Sequence, residues 1–177
     1  MSREIKKGAF VLFSSPPNRE KRVSFQYNPE QLTRIQNYND GTNSISESIR
    51  FTLILHVDAL PERDDPDELS VSIYPQLAAL ERMFEAQTVR VSATFSGMRI
   101  GRKPSVLAFN WGQRTVPVRI QRFVIKEQIF NTELEPVYAT IDVQLRLMTA
   151  KELANSEIGL EMLRNYRKHR LISARNT

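Results

Sequence analysis

The chain has no cysteine and only two histidines among its 177 residues. Without cysteine there is no disulfide, no thiolate nucleophile and no zinc-thiolate cluster, so the composition suits a reducing compartment. The longest strongly apolar run, Phe51 to Leu55, is far shorter than the roughly 20 residues that cross a bilayer. The N-terminal segment has no pattern of a cleaved signal peptide. We therefore expect a cytoplasmic chain that does not insert into a membrane.

The sequence also lacks the usual patterns of enzymes. No GxxxxGK(S/T) or GxGxxG phosphate loop is present. A catalytic triad or a histidine metal site has only His56 as a credible member, and a partly exposed strand histidine is the favoured interpretation. The acidic segment from Glu62 to Glu68 lacks the glycine and the ligand spacing of a calcium loop. We predict no enzymatic activity, no cofactor, no metal and no small-molecule substrate.

Charge is present but unevenly spread. The net charge is +5 and the sequence pI is about 9.7. The acidic segment carries Glu62, Asp64, Asp65, Asp67 and Glu68, whereas the C-terminal end is basic through Arg164, Arg167, Lys168, Arg170 and Arg175. Opposite poles of this kind suit head-to-tail or lateral contacts between subunits.

Apolar periodicity predicts an α+β fold that is mainly antiparallel β. Alternation is clearest from Ile49 to Val57 and from Val137 to Leu147, whereas apolar residues recur at helical spacing from Ile73 to Phe84. The segment 96–104 is expected to be a basic loop. The other predicted strands are Ala9–Phe13, Val23–Tyr27, Leu32–Tyr38, Val89–Phe95, Val106–Trp111 and Val116–Phe130.

A second helix is expected at the C-terminus. Thr149 and Glu152 have the spacing of a capping box, so we predict that the helix begins there, with Gly159 weakening its middle. The simplest division of the chain is then a β domain over residues 1–149 and a basic helical extension over residues 150–177.

One motif suggests a family. Residues 23–34, VSFQYNPEQLTR, resemble the motif F-x-Y-N-P-x-x-(I/L)-x-R of the tube-type baseplate proteins of contractile injection systems, the phage-tail-like particles that fire an inner tube through a contracting sheath. The order of the later strands and of the first helix also fits, over about residues 8–150. Many relatives continue into a LysM module that binds peptidoglycan, and this chain instead ends in a basic helix.

The resemblance implies a structural protein with a tail-tube-like β-barrel or sandwich, one packed helix and a C-terminal helical extension. It implies a hexameric ring that joins the spike hub to the inner tube and initiates tube assembly. The expected partners are further copies of the chain, the inner tube protein, the spike or hub protein, and baseplate or sheath components. The particle itself is either released from the cell or attached to a membrane.

The same resemblance assigns roles to particular residues. The motif residues, expected at a subunit interface, are Phe25, Tyr27, Asn28, Pro29 and Arg34. Asn28 and Pro29 are expected to shape a turn, and Arg34 to bridge subunits. The alternative is that Phe25 and Tyr27 are core residues and that the turn has no further role. The basic helix, with Arg164, Arg167, Lys168 and Arg170, is expected to bind a partner.

Two other functions remain open. A terminator or cap protein at the other end of the tube has the same features. A basic nucleic-acid-binding β domain is the alternative from another class, because aromatic residues lie among basic loops. Its candidate residues are Arg99, Arg102, Lys103, Arg114, Phe109 and Trp111. Core packing of the two aromatic residues is the favoured interpretation.

Overall fold

The computed structural model describes residues 5–13, 20–57, 72–88, 92–95, 98–101 and 105–175. In these residues the chain forms nine strands and two α-helices, which confirms the predicted α+β class with mainly antiparallel strands. The strands are β1 (Ala9–Phe13), β2 (Glu20–Ser24), β3 (Thr33–Asn39), β4 (Ser44–His56), β5 (Ser92–Phe95), β6 (Met98–Gly101), β7 (Val106–Trp111), β8 (Arg114–Phe130) and β9 (Pro136–Leu147). The helices are α1 (Tyr74–Thr88) and α2 (Glu157–Arg175).

Seven strands form one sheet in the order β2-β1-β7-β8-β9-β4-β3, and β5 pairs with β6 in a separate ribbon. The sheet is open in the described part of the chain, with β2 and β3 as its two edges. The predicted barrel is therefore not closed by this chain. The pairs β1–β2, β1–β7, β3–β4, β4–β9 and β7–β8 are all antiparallel. Of these, β3–β4 and β7–β8 are hairpins with short connections.

The chain divides into two compact units. The first contains residues 1–24, 83–119 and 147–177, and the second contains residues 25–82 and 120–146. Both β8 and α1 contribute residues to each unit. The predicted division at residue 149 stays a prediction.

In the second unit, alternation produces the core. From Glu47 onwards, strand β4 buries every second residue, and its register with β9 places Ile49 opposite Leu145 and Leu53 opposite Ile141. A strand that alternates in this way has one buried and one polar face. The first residues of the α1 segment, Ile73, Leu77 and Leu80, are also buried, which confirms the predicted apolar stripe. The Ile73 amide donates to the Pro136 carbonyl at 2.9 Å.

In the first unit, the core joins β1, β7 and α2. Leu107 and Ala108 of β7 are fully buried, and Phe109 lies against Phe10 of β1 with ring centroids 6.0 Å apart. Leu153 and Leu163 belong to one apolar cluster with Val106 and Met148. These clusters are what attaches α2 to the strands of its own unit.

Several predicted boundaries were wrong. Strand β2 occupies Glu20–Ser24 rather than Val23–Tyr27, because Phe25 leaves the strand for the core. Strand β4 begins at Ser44, five residues before the predicted start, because polar residues pair with β3. The expected loop at 96–104 contains β6, whose four residues pair with β5.

Helix α2 also begins later than predicted. The capping box itself is confirmed, since the Glu152 amide donates to Thr149 Oγ1 at 3.3 Å and the Thr149 amide donates to Glu152 Oε2 at 2.9 Å. It caps a single turn, and α2 begins at Glu157 with Ser156 as its cap. Gly159 therefore lies in the first turn rather than the middle. A Cβ there would lie 2.6 Å from Leu153 Cδ2, so close packing explains the glycine.

Candidate functional site at the β3 edge

The family motif lies between β2 and β3, and its residues have different environments. Phe25 is buried and packs on Phe51, with ring centroids 5.9 Å apart. Tyr27 is exposed, whereas Asn28 and Pro29 are half-buried. Phe25 is therefore a core residue, and Tyr27 is not. Tyr27, Asn28 and Pro29 therefore contribute to the surface close to the start of β3.

Arg34 forms an ion pair within its own chain. Its Nη2 and Nε atoms donate to Glu47 Oε1 at 2.9 and 3.2 Å, and Gln36 Nε2 donates to Glu47 Oε2 at 3.3 Å. The side chain of Glu47 is 3% exposed and that of Arg34 is 37% exposed. A buried carboxylate is stable only when it is paired and hydrogen-bonded. Arg34 and Gln36 therefore attach β3 to β4.

Glu47 is the residue that sequence reasoning missed. It precedes Ile49 by two positions, so it shares the buried face of β4. The register places Gln36 opposite Glu47 and Arg34 opposite Ile49, which brings all three polar side chains to one face. The alternation of β4 would indicate that Glu47 is buried if the predicted strand began before Ile49.

Among the described strands, none pairs with the outer side of β3, which is a sheet edge. Six of the seven residues of β3 are exposed, and Arg34, its single charged residue, is paired with Glu47. At the opposite edge, β2 carries Glu20, Lys21 and Arg22, all exposed. Charged side chains on an edge strand hinder pairing with another chain. Strand β2 has this protection, and β3 does not.

A groove of about 790 Å³ lies on the polar face of the second unit. Its walls include the motif residues Tyr27, Asn28 and Pro29 together with Arg50 and Arg122. These residues place the motif beside two cationic side chains. The groove thus combines aromatic, amide and guanidinium groups on one surface next to the start of β3.

Asp142 lies in the wall of this groove and is held in its charged form. Lys126 Nζ lies 2.9 Å from Asp142 Oδ2, and Thr52 Oγ1 donates to Asp142 Oδ1 at 2.8 Å. The hydrogen bonds from Lys126 and then Thr52 lower the pKa of the Asp142 carboxyl below its ordinary value. A cross-strand polar network therefore covers this face, with Gln144 Nε2 donating to Gln121 Oε1 at 3.1 Å.

The predicted C-terminal helix is confirmed. Its basic residues project from two different sides of the helix. Arg164, Arg167, Lys168 and Arg170 are all exposed in α2. The guanidinium of Arg170 lies 5.8 Å from the centre of the Tyr166 ring, and that ring is buried. Arg164 and Lys168 lie on the side of the helix away from Tyr166, as its periodicity requires.

The other candidate residues are not brought together. The His56 ring packs edge-on against Tyr138 at 5.5 Å, and His169 lies 3.4 Å from Gln113 Oε1. In the described ranges no three histidine or acidic side chains form a metal-binding group. No helix there is long and apolar enough to cross a bilayer. Arg102, Lys103 and the acidic segment 62–68 lie outside the described residues.

Of the two aromatic residues of the nucleic-acid alternative, Phe109 has a core position and Trp111 is half-buried. Phe109 is buried, and Trp111 stacks on it with centroids 6.1 Å apart. Stacking on a base requires an exposed ring face, and Phe109 offers none. Arg114 is half-buried beside them, and Arg99 lies in β6.

Comparison with known proteins was also made. Neither a scan of protein families nor a search of curated proteins found a match to this chain.

Proposed function

We propose that the chain is a non-enzymatic structural subunit of a contractile injection system. In this proposal it forms a hexameric ring that joins the spike hub to the inner tube and starts tube assembly. The resemblance of residues 23–34 to the family motif supports the class of particle. The observation that carries self-assembly is the unprotected edge of β3.

The edge supports assembly because of its backbone. An edge strand presents a row of amide and carbonyl groups that can pair with another strand. Strand β3 is seven residues long, its only charge is paired inside the chain, and it lies next to the motif. A strand of the neighbouring subunit other than the charged β2 would complete the row. The Arg34–Glu47 pair then acts by fixing β3 in position, rather than by bridging subunits.

The two faces of the sheet in the second unit differ in polarity, as the wall of a water-filled channel requires. One face of β4 and β9 is apolar and buried, whereas the other carries Thr52, Asp142 and Gln144. Arranged around a ring, such sheets from neighbouring subunits would together form a channel wall that the described residues of one chain do not form. The polar face would line the lumen, and the apolar face would remain covered by Phe25 and the buried residues of α1.

The partners follow from this position in the particle. The inner tube protein and the spike or hub protein would contact opposite sides of the ring. Baseplate or sheath components would contact its outside, where the basic helix α2 is the proposed attachment. Assembly would take place in the cytoplasm before the particle is released or attached to a membrane.

The test is the oligomeric state of the purified full chain. We expect rings in negative-stain electron microscopy and a hexameric mass in light scattering. The double variant Thr33→Glu/Asn37→Lys gives β3 charges of both signs, as β2 has, and we expect it to remain a monomer. Both side chains are exposed, so the fold should be retained.

The matched control is Thr140→Lys, which adds a charge to β9, a strand with neighbours on both sides. It should form rings as the native chain does. A native chain that stays a monomer at every concentration, with no affinity for tube or spike components, would refute the proposed function. Imaging of labelled subunits in particles separates a ring at the spike from a cap at the other end.

A further inference from the structure

We infer a second contact between copies of the chain: the tip of the β8–β9 hairpin of one copy docks on the outer face of α2 of the next. This inference deepens the proposed function and rests on its self-assembly. It is carried by two exposed surfaces in the described residues, one apolar and acidic, the other apolar and basic.

The first surface, here called the tip patch, consists of Ile129, Phe130, Leu134, Glu127 and Glu133. All five side chains are exposed, and Leu134 is 82% exposed. Consecutive strand residues project to opposite faces, so Glu127 and Ile129 lie on one face of β8 and Phe130 lies on the other. Exposed apolar side chains concentrated at the end of one hairpin mark an interaction site more often than single ones do. The two carboxylates give this patch a negative rim.

The backbone of the tip is firmly held. Asn131 Oδ1 accepts hydrogen bonds from the amides of Glu133 at 3.0 Å and Glu135 at 2.9 Å, and the Asn131 amide donates to the Glu135 carbonyl at 2.9 Å. This network holds Leu134 in the left-handed region with a φ of 62°. A leucine is disfavoured there, where glycine or asparagine is usual. A strained, exposed leucine on an ordered turn points to a use outside the fold.

The second surface, here called the outer face of α2, consists of Arg164, Lys168, Leu171, Ile172 and Arg175. The buried stripe of α2 ends at Tyr166. Beyond that point the apolar residues change sides, because at 3.6 residues per turn Leu171 and Ile172 lie about 140° and about 120° around the helix from Tyr166, on either side of the opposite face. Leu171 is 65% exposed and Ile172 is 50% exposed. No acidic residue follows Glu161 in the sequence.

The two surfaces are complementary in chemistry. The apolar side chains of the tip patch can pack on Leu171 and Ile172, while Glu127 and Glu133 face Arg164, Lys168 and Arg175. Charge complementarity fixes the register of a contact and increases its rate of formation. Because the two surfaces differ, the contact is heterologous, and a heterologous contact generates a ring or a stacked assembly rather than a closed dimer.

Charge reversal provides the test, read by sedimentation velocity over a range of concentrations. The tip variant Glu127→Lys/Glu133→Lys and the helix variant Arg164→Glu/Lys168→Glu each place like charges across the contact. We expect each alone to weaken self-association by about tenfold or more. Mixed together, the two variants should associate again, since each tip then meets a helix of opposite charge. One chain with all four changes should also recover.

The apolar part is tested separately. Leu134→Asn removes the anchor and suits the left-handed backbone, so it should weaken association while thermal stability stays the same or rises. Leu171→Ala should weaken association without loss of helix, measured by circular dichroism. These variants exclude misfolding as the cause of a loss.

Four results would overturn the inference. Association that is unchanged in both charge variants, while Thr33→Glu/Asn37→Lys abolishes it, would remove this contact and leave the proposed function standing. A four-change chain that recovers while the mixture does not would place the contact within one chain. Loss of binding to phosphatidylserine vesicles in the helix variant, with association intact, would make α2 a membrane contact instead. A native chain that never associates refutes the proposed function together with this contact.

Discussion

The two edges of the large sheet differ in charge and in the way they are attached. Strand β2 carries three adjacent charged residues, Glu20, Lys21 and Arg22, all facing solvent. Strand β3 is longer and is almost uncharged on its exposed surface, since Arg34 is paired with the buried Glu47. Natural sheets commonly protect their edges with charge. The difference indicates that one edge is protected from strand addition and the other is free to accept it.

The same comparison separates two uses of arginine. Arg22 Nε donates to Ser24 Oγ at 3.3 Å, an exposed contact two residues away. Arg34 reaches across to β4 and neutralises a carboxylate that has no access to water. Arg22 is an exposed charge on its edge strand, whereas Arg34 pairs its edge strand with β4.

The largest expected effect is on stability at the β3 edge. Arg34→Leu should lower the free energy of unfolding by about 2 kcal/mol, because the buried Glu47 carboxylate loses the guanidinium that pairs with it. Urea denaturation measures this. Arg22→Leu should change the same quantity by no more than about 0.5 kcal/mol. The double variant Arg34→Leu/Glu47→Leu should regain most of the loss, and equal effects at the two edges would contradict the comparison.

An intermediate effect is expected when the protection of β2 is removed. Lys21→Thr/Arg22→Asn replaces two charges with neutral residues like those of β3, so β2 should become competent for pairing. We expect light scattering to show species larger than those of the native chain, with unfolding free energy changed by less than about 0.5 kcal/mol. If the variant behaves like the native chain, charge is not what distinguishes the edges.

The smallest effect is expected on the polar face between the edges. Asp142 has a lowered pKa in the folded chain, because Lys126 and Thr52 donate to its carboxylate. Its ionised form therefore stabilises the fold above the ordinary carboxyl pKa, and that contribution is lost as pH falls through the lowered value. Asp142→Asn should cost less than about 1 kcal/mol at neutral pH, since the pair is exposed. The two unfolding curves should converge in acid, and a constant difference would assign the effect to packing.

Much of the fold follows from the sequence, since local patterns determine it. Alternation gives β9 and most of β4, and helical spacing gives the buried stripe of α1. The first residues of β4 were missed because Ser44, Ser46 and Ser48 show no apolar alternation; their strand exists through pairing with β3. The predicted start of helix α2 lies too early in the chain, because a capping box marks the beginning of a turn and does not determine how far the turn continues.

The candidate site was less accessible to sequence reasoning. Phe25 and Arg34 were identified by resemblance, yet the partner that gives Arg34 its role lies on another strand, and register is a property of the folded pair. The β3 edge is likewise defined by the absence of a neighbouring strand in the described sheet, which depends on the order of all seven strands. The tip patch could have been suspected from Ile129, Phe130 and Leu134, but the left-handed backbone of Leu134 could not.

At position 134, the stability of the fold and contact with a partner favour different residues. Selection for stability alone would favour glycine or asparagine at position 134, because either residue adopts the left-handed backbone at a lower free-energy cost than leucine. A lineage that retains a bulky apolar side chain there keeps a residue that lowers the stability of the fold. The residue at this turn, compared across descendants of the gene, would then record whether the docking partner has been kept or lost.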